Sequence, residues 1–317
     1  MTYAQYGNIQ ALDYNTLVGS TSGSTANAFN TTWATGSGSA GYGQTSVAQV
    51  GTGDIVDDVT WSGLINKAAN VSLHQATVGY SSITAPIEGD SISYLSSLPT
   101  NLQLVYAQRA NAASQGTTTA NTVTTLTSWT DKAVWTHTVT FANGDAARYF
   151  FNSGGQIKMT CAHPSGSGIN LLLNGLASNV GTVVMSSVSS GTVKISATTY
   201  NGITKVGGGG NAPTVSQNTG YYALTTSNAS VFTQTASTGP SSYLGTFINY
   251  IARSNGPQGA NGDTGSIVTI YTTWDELPNG LTVSSGSTVT CTVQLPETTY
   301  IANTWGAVSV SGVVSVT

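Results

Sequence analysis

Charge is what this chain has least of. Eight Lys and Arg and twelve Asp and Glu make up 6% of its 317 residues, against roughly 25% in an ordinary soluble domain. No basic run occurs, so the clustered cations that neutralise nucleic-acid phosphates are missing and nucleic acid is excluded as a partner. No stretch approaches the ~18 continuous apolar residues of a membrane-spanning helix, and no membrane insertion is expected. The opening "MTYAQYGNIQALDYN" lacks the basic and apolar regions of a secretory signal, which predicts synthesis in a cytoplasm without export by that route. Only two cysteines occur, Cys161 and Cys291, each in a strand-like run, so a pair of buried, reduced thiols is expected.

The chain is nonetheless 39% hydrophobic, far above a solvating tail. Ser, Thr, Asn and Gly take the surface role that Lys and Glu usually have. Such a surface stays hydrated with little field, which suits a protein packed into an assembly. Five lysines and eight prolines are too few to protect many strand edges, so pairing with further copies is expected.

Residues 1–118 read as a helical and loop-rich N-terminal attachment region. "VTWSGLINKAANVSLHQ" spaces Trp61, Leu64, Ile65, Ala68 and Ser72 helically, predicting a helix over about 60–76 with Thr60 as its N-cap. "LPTNLQLVYAQRANAA" repeats the pattern behind Pro99, and weaker helices are expected near 11–18 and 24–34. The glycines of "ATGSGSAGYGQTSV" lack both a dinucleotide fingerprint and a P-loop Gly-Lys-Ser, leaving a structural loop and no cofactor.

From about 119 the pattern is β. "AVWTHTVTF", "QIKMTC", "SIVTIYTTW", "TVTCTVQL" and "GAVSVSGVVSVT" alternate or are rich in β-branched residues, with glycine turns between them. The fold class expected is therefore mainly β: antiparallel β-sandwich modules behind a small helical region. The "VGGGGNAPTVSQNTG" stretch suggests modules over 119–210 and 211–317, or one larger β-domain. "GPQGANGDTG" is too short for a collagen helix and reads as a turn-rich loop before "SIVTIYTTW".

Catalytic patterns are sparse. His74, His137 and His163 are far apart with no close ligand partner, so no metal site is expected. Asp54, Asp57 and Asp58 lack calcium-loop spacing and sit where acids favour a helix start. No G-x-S-x-G elbow and no obvious carboxylate pair appears, and no catalytic residue is assigned. "WDELPNG", with Trp274 beside Asp275 and Glu276, has a composition seen in sugar sites but reads first as a Pro-Asn-Gly turn. In a polysaccharide-binding protein Trp274 and Trp305 would be the candidate ligand contacts, as exposed rings that stack on sugars.

The most unusual stretch is "FANGDAARYFFNSGGQI". Asn143-Gly144 reads as a hairpin turn, Asp145 and Arg148 as a pair across it, and Tyr149, Phe150 and Phe151 as a returning strand. Asn152, Gly154 and Gly155 then turn the chain again. A catalytic Asp145 would need a second titrating partner and a pocket, so the stretch is taken as architecture.

That motif resembles one in structural proteins of tailed bacteriophages. "YGNIQALDYNTLVG", "TTWATGSGSAGYGQ", "HQAT", "TTWDELPNGLTV" and "TYIANTWG" are similar to segments of the same proteins. The resemblance implies a non-enzymatic tail- or fibre-type virion protein, assembled in the host cytoplasm. Its implied partners are other virion proteins and further copies of itself, with a trimer the form such proteins usually take. The alternative is a receptor- or polysaccharide-binding adhesin, followed by a polysaccharide-degrading enzyme.

Overall fold

A computed structural model describes residues 11–20, 27–90, 97–236, 243–277 and 280–316. Four helices come first: α1 (Ala11–Val18), α2 (Phe29–Trp33), α3 (Asp58–Gln75) and α4 (Leu98–Ala107). The α3 helix starts two residues earlier than the pattern predicts. Asp57, not Thr60, is its N-cap, accepting from the Thr60 amide at 2.8 Å and the Thr60 hydroxyl at 2.6 Å. An aspartate accepts strongly at this position and also faces the positive end of the helix dipole. Trp61, Leu64, Ile65, Ala68 and Val71 form its buried face. Pro99 stands in the first turn of α4. The helix expected near 24–34 is the short α2, and residues 24–26 lie outside the described residues.

Thirteen strands follow among the described residues, with two more helices inserted. In chain order they are β1 (Gln115–Thr124), β2 (Lys132–Thr140), α5 (Gly144–Asn152), β3 (Gln156–Ala162), α6 (Ile169–Val180) and β4 (Thr182–Met185). Then come β5 (Val193–Ile195), β6 (Thr198–Tyr200), β7 (Ile203–Val206), β8 (Thr214–Val215), β9 (Ala229–Thr235) and β10 (Phe247–Ser254). The last three are β11 (Ile267–Asp275), β12 (Thr288–Pro296) and β13 (Ser309–Val316).

The strands build two large antiparallel sheets and one small hairpin. The five-stranded sheet runs β1-β12-β3-β4-β7, the six-stranded sheet β13-β2-β11-β10-β9-β8, and β5 pairs with β6. Ile157, Met159, Val183, Met185 and Ile203 of the first sheet surround the same internal gap as Val231, Tyr250, Ala252 and Ile270 of the second. The sheets therefore pack face to face, a sandwich with its apolar side chains inside. Alternation along β11, with Val268, Ile270, Thr272 and Trp274 buried, is the pleat turning every second residue inward.

Two expected boundaries do not follow the sheets. Strand β1 spans the 118/119 limit, and it pairs with β12 from Gln115↔Pro296 to Thr124↔Thr288. Both sheets draw strands from before and after residue 210, so the glycine-rich stretch there joins β7 of one sheet to β8 of the other. A single apolar core links Trp61 and Leu102 of the helices to Trp135, Phe150 and Trp274 of the β-region.

Candidate functional site

The "NGDAARYFFN" stretch is helical. Asn143 is not the corner of a hairpin but the N-cap of α5, its side-chain oxygen accepting from the Ala146 amide at 2.8 Å. Asp145 lies in the first turn, favoured by the dipole, and Arg148 stands one turn later. Tyr149, Phe150 and Phe151 therefore do not form the expected strand. A strand would turn Phe150 and Phe151 to opposite faces, whereas the helix turns Ala146, Ala147, Phe150 and Phe151 all into the core. Phe150 meets Phe151 edge-on at 5.0 Å and Phe141 at 5.1 Å, and Phe151 stacks on Tyr221 at 4.2 Å.

Arg148 is 1% exposed and fully engaged. Its Nη2 meets Asp145 Oδ1 at 2.8 Å, and its Nη1 donates to the carbonyls of Thr35, at 2.8 Å, and Ala40. The expected Asp145–Arg148 pair is present, but within a helix, and the guanidinium reaches the glycine-rich loop. One turn on, Asn152 donates to the carbonyls of Ser39 and Gly41, both at 2.9 Å, and accepts from the Tyr222 hydroxyl at 2.7 Å. A backbone without secondary structure must find partners somewhere. Here the side chains of α5 supply them.

Three glycines make the close approach. A Cβ on Gly43 would lie 2.4 Å from the Tyr149 ring, one on Gly155 2.6 Å from the Phe150 ring, and one on Gly154 2.4 Å from Ala112 Cβ. Gly154 also has φ of +90°, a conformation that side chains disfavour.

The loop is gripped from two further directions. Tyr42 donates to the Arg109 carbonyl at 2.6 Å and accepts from Gln75 Nε2 at 2.7 Å. Gln44 exchanges a pair of hydrogen bonds with the Ala302 backbone, at 2.8 and 3.0 Å, while Thr304 donates to the Tyr42 carbonyl. So "TTWATGSGSAGYGQ", "HQAT", the α5 motif and "TYIANTWG" meet at one buried hub.

A cleft of about 430 Å³ opens beside it. Ser39, Asn152 and Tyr222 of the hub line it, with Arg109, Asn111 and Ser187 among the residues around them. Arg109 Nη1 donates to the Tyr106 carbonyl at 3.0 Å, with the guanidinium 4.5 Å from the Tyr106 ring centre. Among the described residues no carboxylate lines the cleft. Sequence reading missed this group because its members come from five separate segments and no spacing unites them.

Trp274 and Trp305 are not exposed ligand contacts. They are 0% and 1% exposed, and Trp274 packs 5.2 Å from Trp135. Trp274 occupies an inward position of β11, so the pleat buries it. Its neighbour Glu276 is also buried and accepts from the Leu281 amide at 3.2 Å, while Asp131 accepts from the Gly280 amide at 2.6 Å.

The remaining titrating groups are scattered. Burial pulls His74 and His137 down to about 4, and lowers His163, which lies 2.8 Å from Ser287 Oγ. Among the described residues no three His, Cys, Asp or Glu side chains are grouped to hold a metal, and no helix is long and apolar enough to cross a membrane. Both cysteines are free, on adjacent strands, with Cys291 buried and Cys161 only half-buried. Burial pushes both thiols up to about 12.

No protein-family model, curated protein or solved structure matches this chain.

Proposed function

We propose that this chain is a non-enzymatic structural protein of a tailed bacteriophage virion, tail- or fibre-associated, acting by subunit packing and attachment. One observation carries this reading. Four segments that carry the bacteriophage resemblance meet at the Arg148–Asn152 hub, where their polar groups bond to one another and hold the backbone. A motif spent on internal hydrogen bonds serves shape, and shape is what a packing subunit needs. A second support lies in the helical region, where Leu12, Ile55, Val59, Val78 and Ile87 are each at least 70% exposed. Large exposed apolar side chains in this part of the chain suit attachment to a neighbour. The chain would be made in the host cytoplasm and act in homo-oligomeric form on the particle.

Mass spectrometry and a density map of purified particles test this. The chain is expected at a fixed copy number in a defined location, and its absence from intact particles overturns the proposal.

The cleft at Arg109, Asn111 and Tyr222 supports a second reading, an adhesin that binds host polysaccharide. Hydroxyl and amide groups beside the half-exposed Tyr222 ring suit a sugar, and a lone arginine suits one bearing a carboxylate. Calorimetry with purified host polysaccharide checks it: binding that Arg109→Gln abolishes is expected, and no binding by the parent protein removes this reading.

A further inference from the structure

We propose that β13 is the edge through which a second copy of this chain joins, Ser309–Val316 pairing antiparallel with the same strand of its partner about a two-fold axis. The inference rests on the homo-oligomer reading above and names the surface that reading leaves open.

Four strands bound the two sheets: β1 and β7 in one, β13 and β8 in the other. An outer strand presents unpaired amides and carbonyls that template a further strand, and monomeric proteins blunt such edges. Three of these four are blunted. Strand β8 has two residues and follows Pro213. Strand β7 has four and carries Lys205, whose Nζ donates to Gly209 at 3.0 Å and Gln234 at 3.1 Å. Strand β1 is long, but its pairing shifts register between Gln115 and Thr118, the irregularity of a bulge.

Strand β13 has none of these devices. Its eight residues, SVSGVVSV, contain no charge and no proline, and they pair with β2 without a break from Ser309↔Thr140 to Val316↔Ala133. Among the described residues β2 is the one strand hydrogen-bonded to it, while β1 of the other sheet packs against its inner face. Ser309, Ser311, Val313 and Ser315 face out, with Val313 66% exposed. Val310, Val314 and Val316 face in yet are only partly buried, because the sheet stops there.

The strand is also held ready. A Cβ on Gly312 would lie 2.7 Å from both Asn121 Oδ1 and His137 Cδ2, so the strand sits close on β1 and its register is pinned. A preformed edge takes a new strand with little ordering cost.

The occupant follows from the sequence of the strand. Around Val313 it reads nearly the same in both directions. A two-fold axis there sets Val313 beside its copy and Ser311 opposite Ser315 on the outer face. Val310 then faces Val316 on the inner face. Like residues meet with no charge to repel, and cross-strand Val–Val and Ser–Ser pairs are favourable. Growth stops at two copies because this pairing uses the β13 edge of each, and the far edge, β8, is too short to continue.

Light scattering on the purified full chain over a concentration series tests the proposal. A dimer is expected, and Val313→Lys, on an exposed outward position, should weaken self-association by roughly tenfold or more by setting two ammonium groups at the axis. Val206→Lys, on the opposite side of the sandwich, should leave the dimer intact. If the Val313 variant fails to fold, hydrogen exchange on the parent protein replaces it, with β13 amides gaining protection as concentration rises through the dissociation range. A dimer unmoved by Val313→Lys, or β13 amides indifferent to concentration, overturns the edge assignment while leaving homo-oligomerisation standing. A trimer overturns the two-fold pairing alone, and a monomer at every concentration overturns this inference and homo-oligomerisation together.

Discussion

Asn152 and Gly41 are 111 residues apart in sequence, and the Asn152 amide donates to the Gly41 carbonyl at 2.9 Å. With Arg148 on Thr35 and Ala40, this bond turns a loop without secondary structure into a fixed part of the fold. Replacing Arg148 by Ala would leave the Thr35 and Ala40 carbonyls without that donor and Asp145 with the Gly262 amide at 3.3 Å. The expected loss is about 1–3 kcal/mol, read as a lower urea midpoint. Arg148→Lys should recover little, because an ammonium cannot span Asp145 and two carbonyls as the planar fork does. An alanine variant with the parent's midpoint would show that the hub contributes no stability.

Gly144 lies under the loop that precedes β11. A Cβ there would stand 1.8 Å from the Asp263 carbonyl oxygen, a backbone atom that cannot rotate away. Gly144→Ala is therefore expected to cost on the order of 1–3 kcal/mol through overpacking, despite the better helix propensity of alanine. Thermal unfolding of the variant decides it, and a Tm equal to or above the parent's contradicts the close approach.

Acid should weaken the fold before its carboxylates titrate. His74 and His137 are held near 4 by burial, below the ordinary value of 6.5. The unfolded chain therefore binds more protons than the folded one between those values. Stability from this source is complete above about pH 6.5 and declines as pH falls toward 4. Urea midpoints at pH 7, 5.5 and 4.5 should fall in that order, and a flat series would mean that both rings take up protons as readily in the folded protein as in the unfolded chain.

The thiols should be slow to react. Thiolate is the reactive form, and burial holds both Cys161 and Cys291 near 12. Titration of the native protein at pH 8 should label little, with half-buried Cys161 first, and two thiols should appear after denaturation. Finding none after denaturation would establish a disulfide.

The legible parts of the fold were those with a clean period. Trp61, Leu64, Ile65 and Ala68 gave α3 away, and the alternation of "SIVTIYTTW" marked β11. The α5 helix was misread because Tyr149, Phe150 and Phe151 all favour strands intrinsically. What favours the helix is the Asn143 cap together with the distant carbonyls that receive Arg148. The α6 helix went unnoticed although Ile169, Leu172, Leu173, Leu176, Ala177 and Val180 keep helical spacing throughout. Gly168 and Gly181, both at positive φ, bound it on either side. Of the candidate site, the Asp145–Arg148 pair was visible from its spacing. The exposure assumed for Trp274 was not, because alternation identifies two faces of a strand without saying which is covered.

The pairing of β1 with β12 joins residue 115 to residue 296, and β2 receives β13 on its outer side. On a ribosome this imposes a wait. Neither sheet can be completed until Thr288–Val316 has been synthesised, so the apolar inner faces of β2, β3 and β4 stay incompletely covered for most of translation. Such non-local pairing slows folding and lengthens exposure to aggregation. Nascent chains stalled before β12 should therefore be protease-sensitive throughout, helices included, because the Gln44–Ala302 clasp that ties the glycine-rich loop down also arrives late.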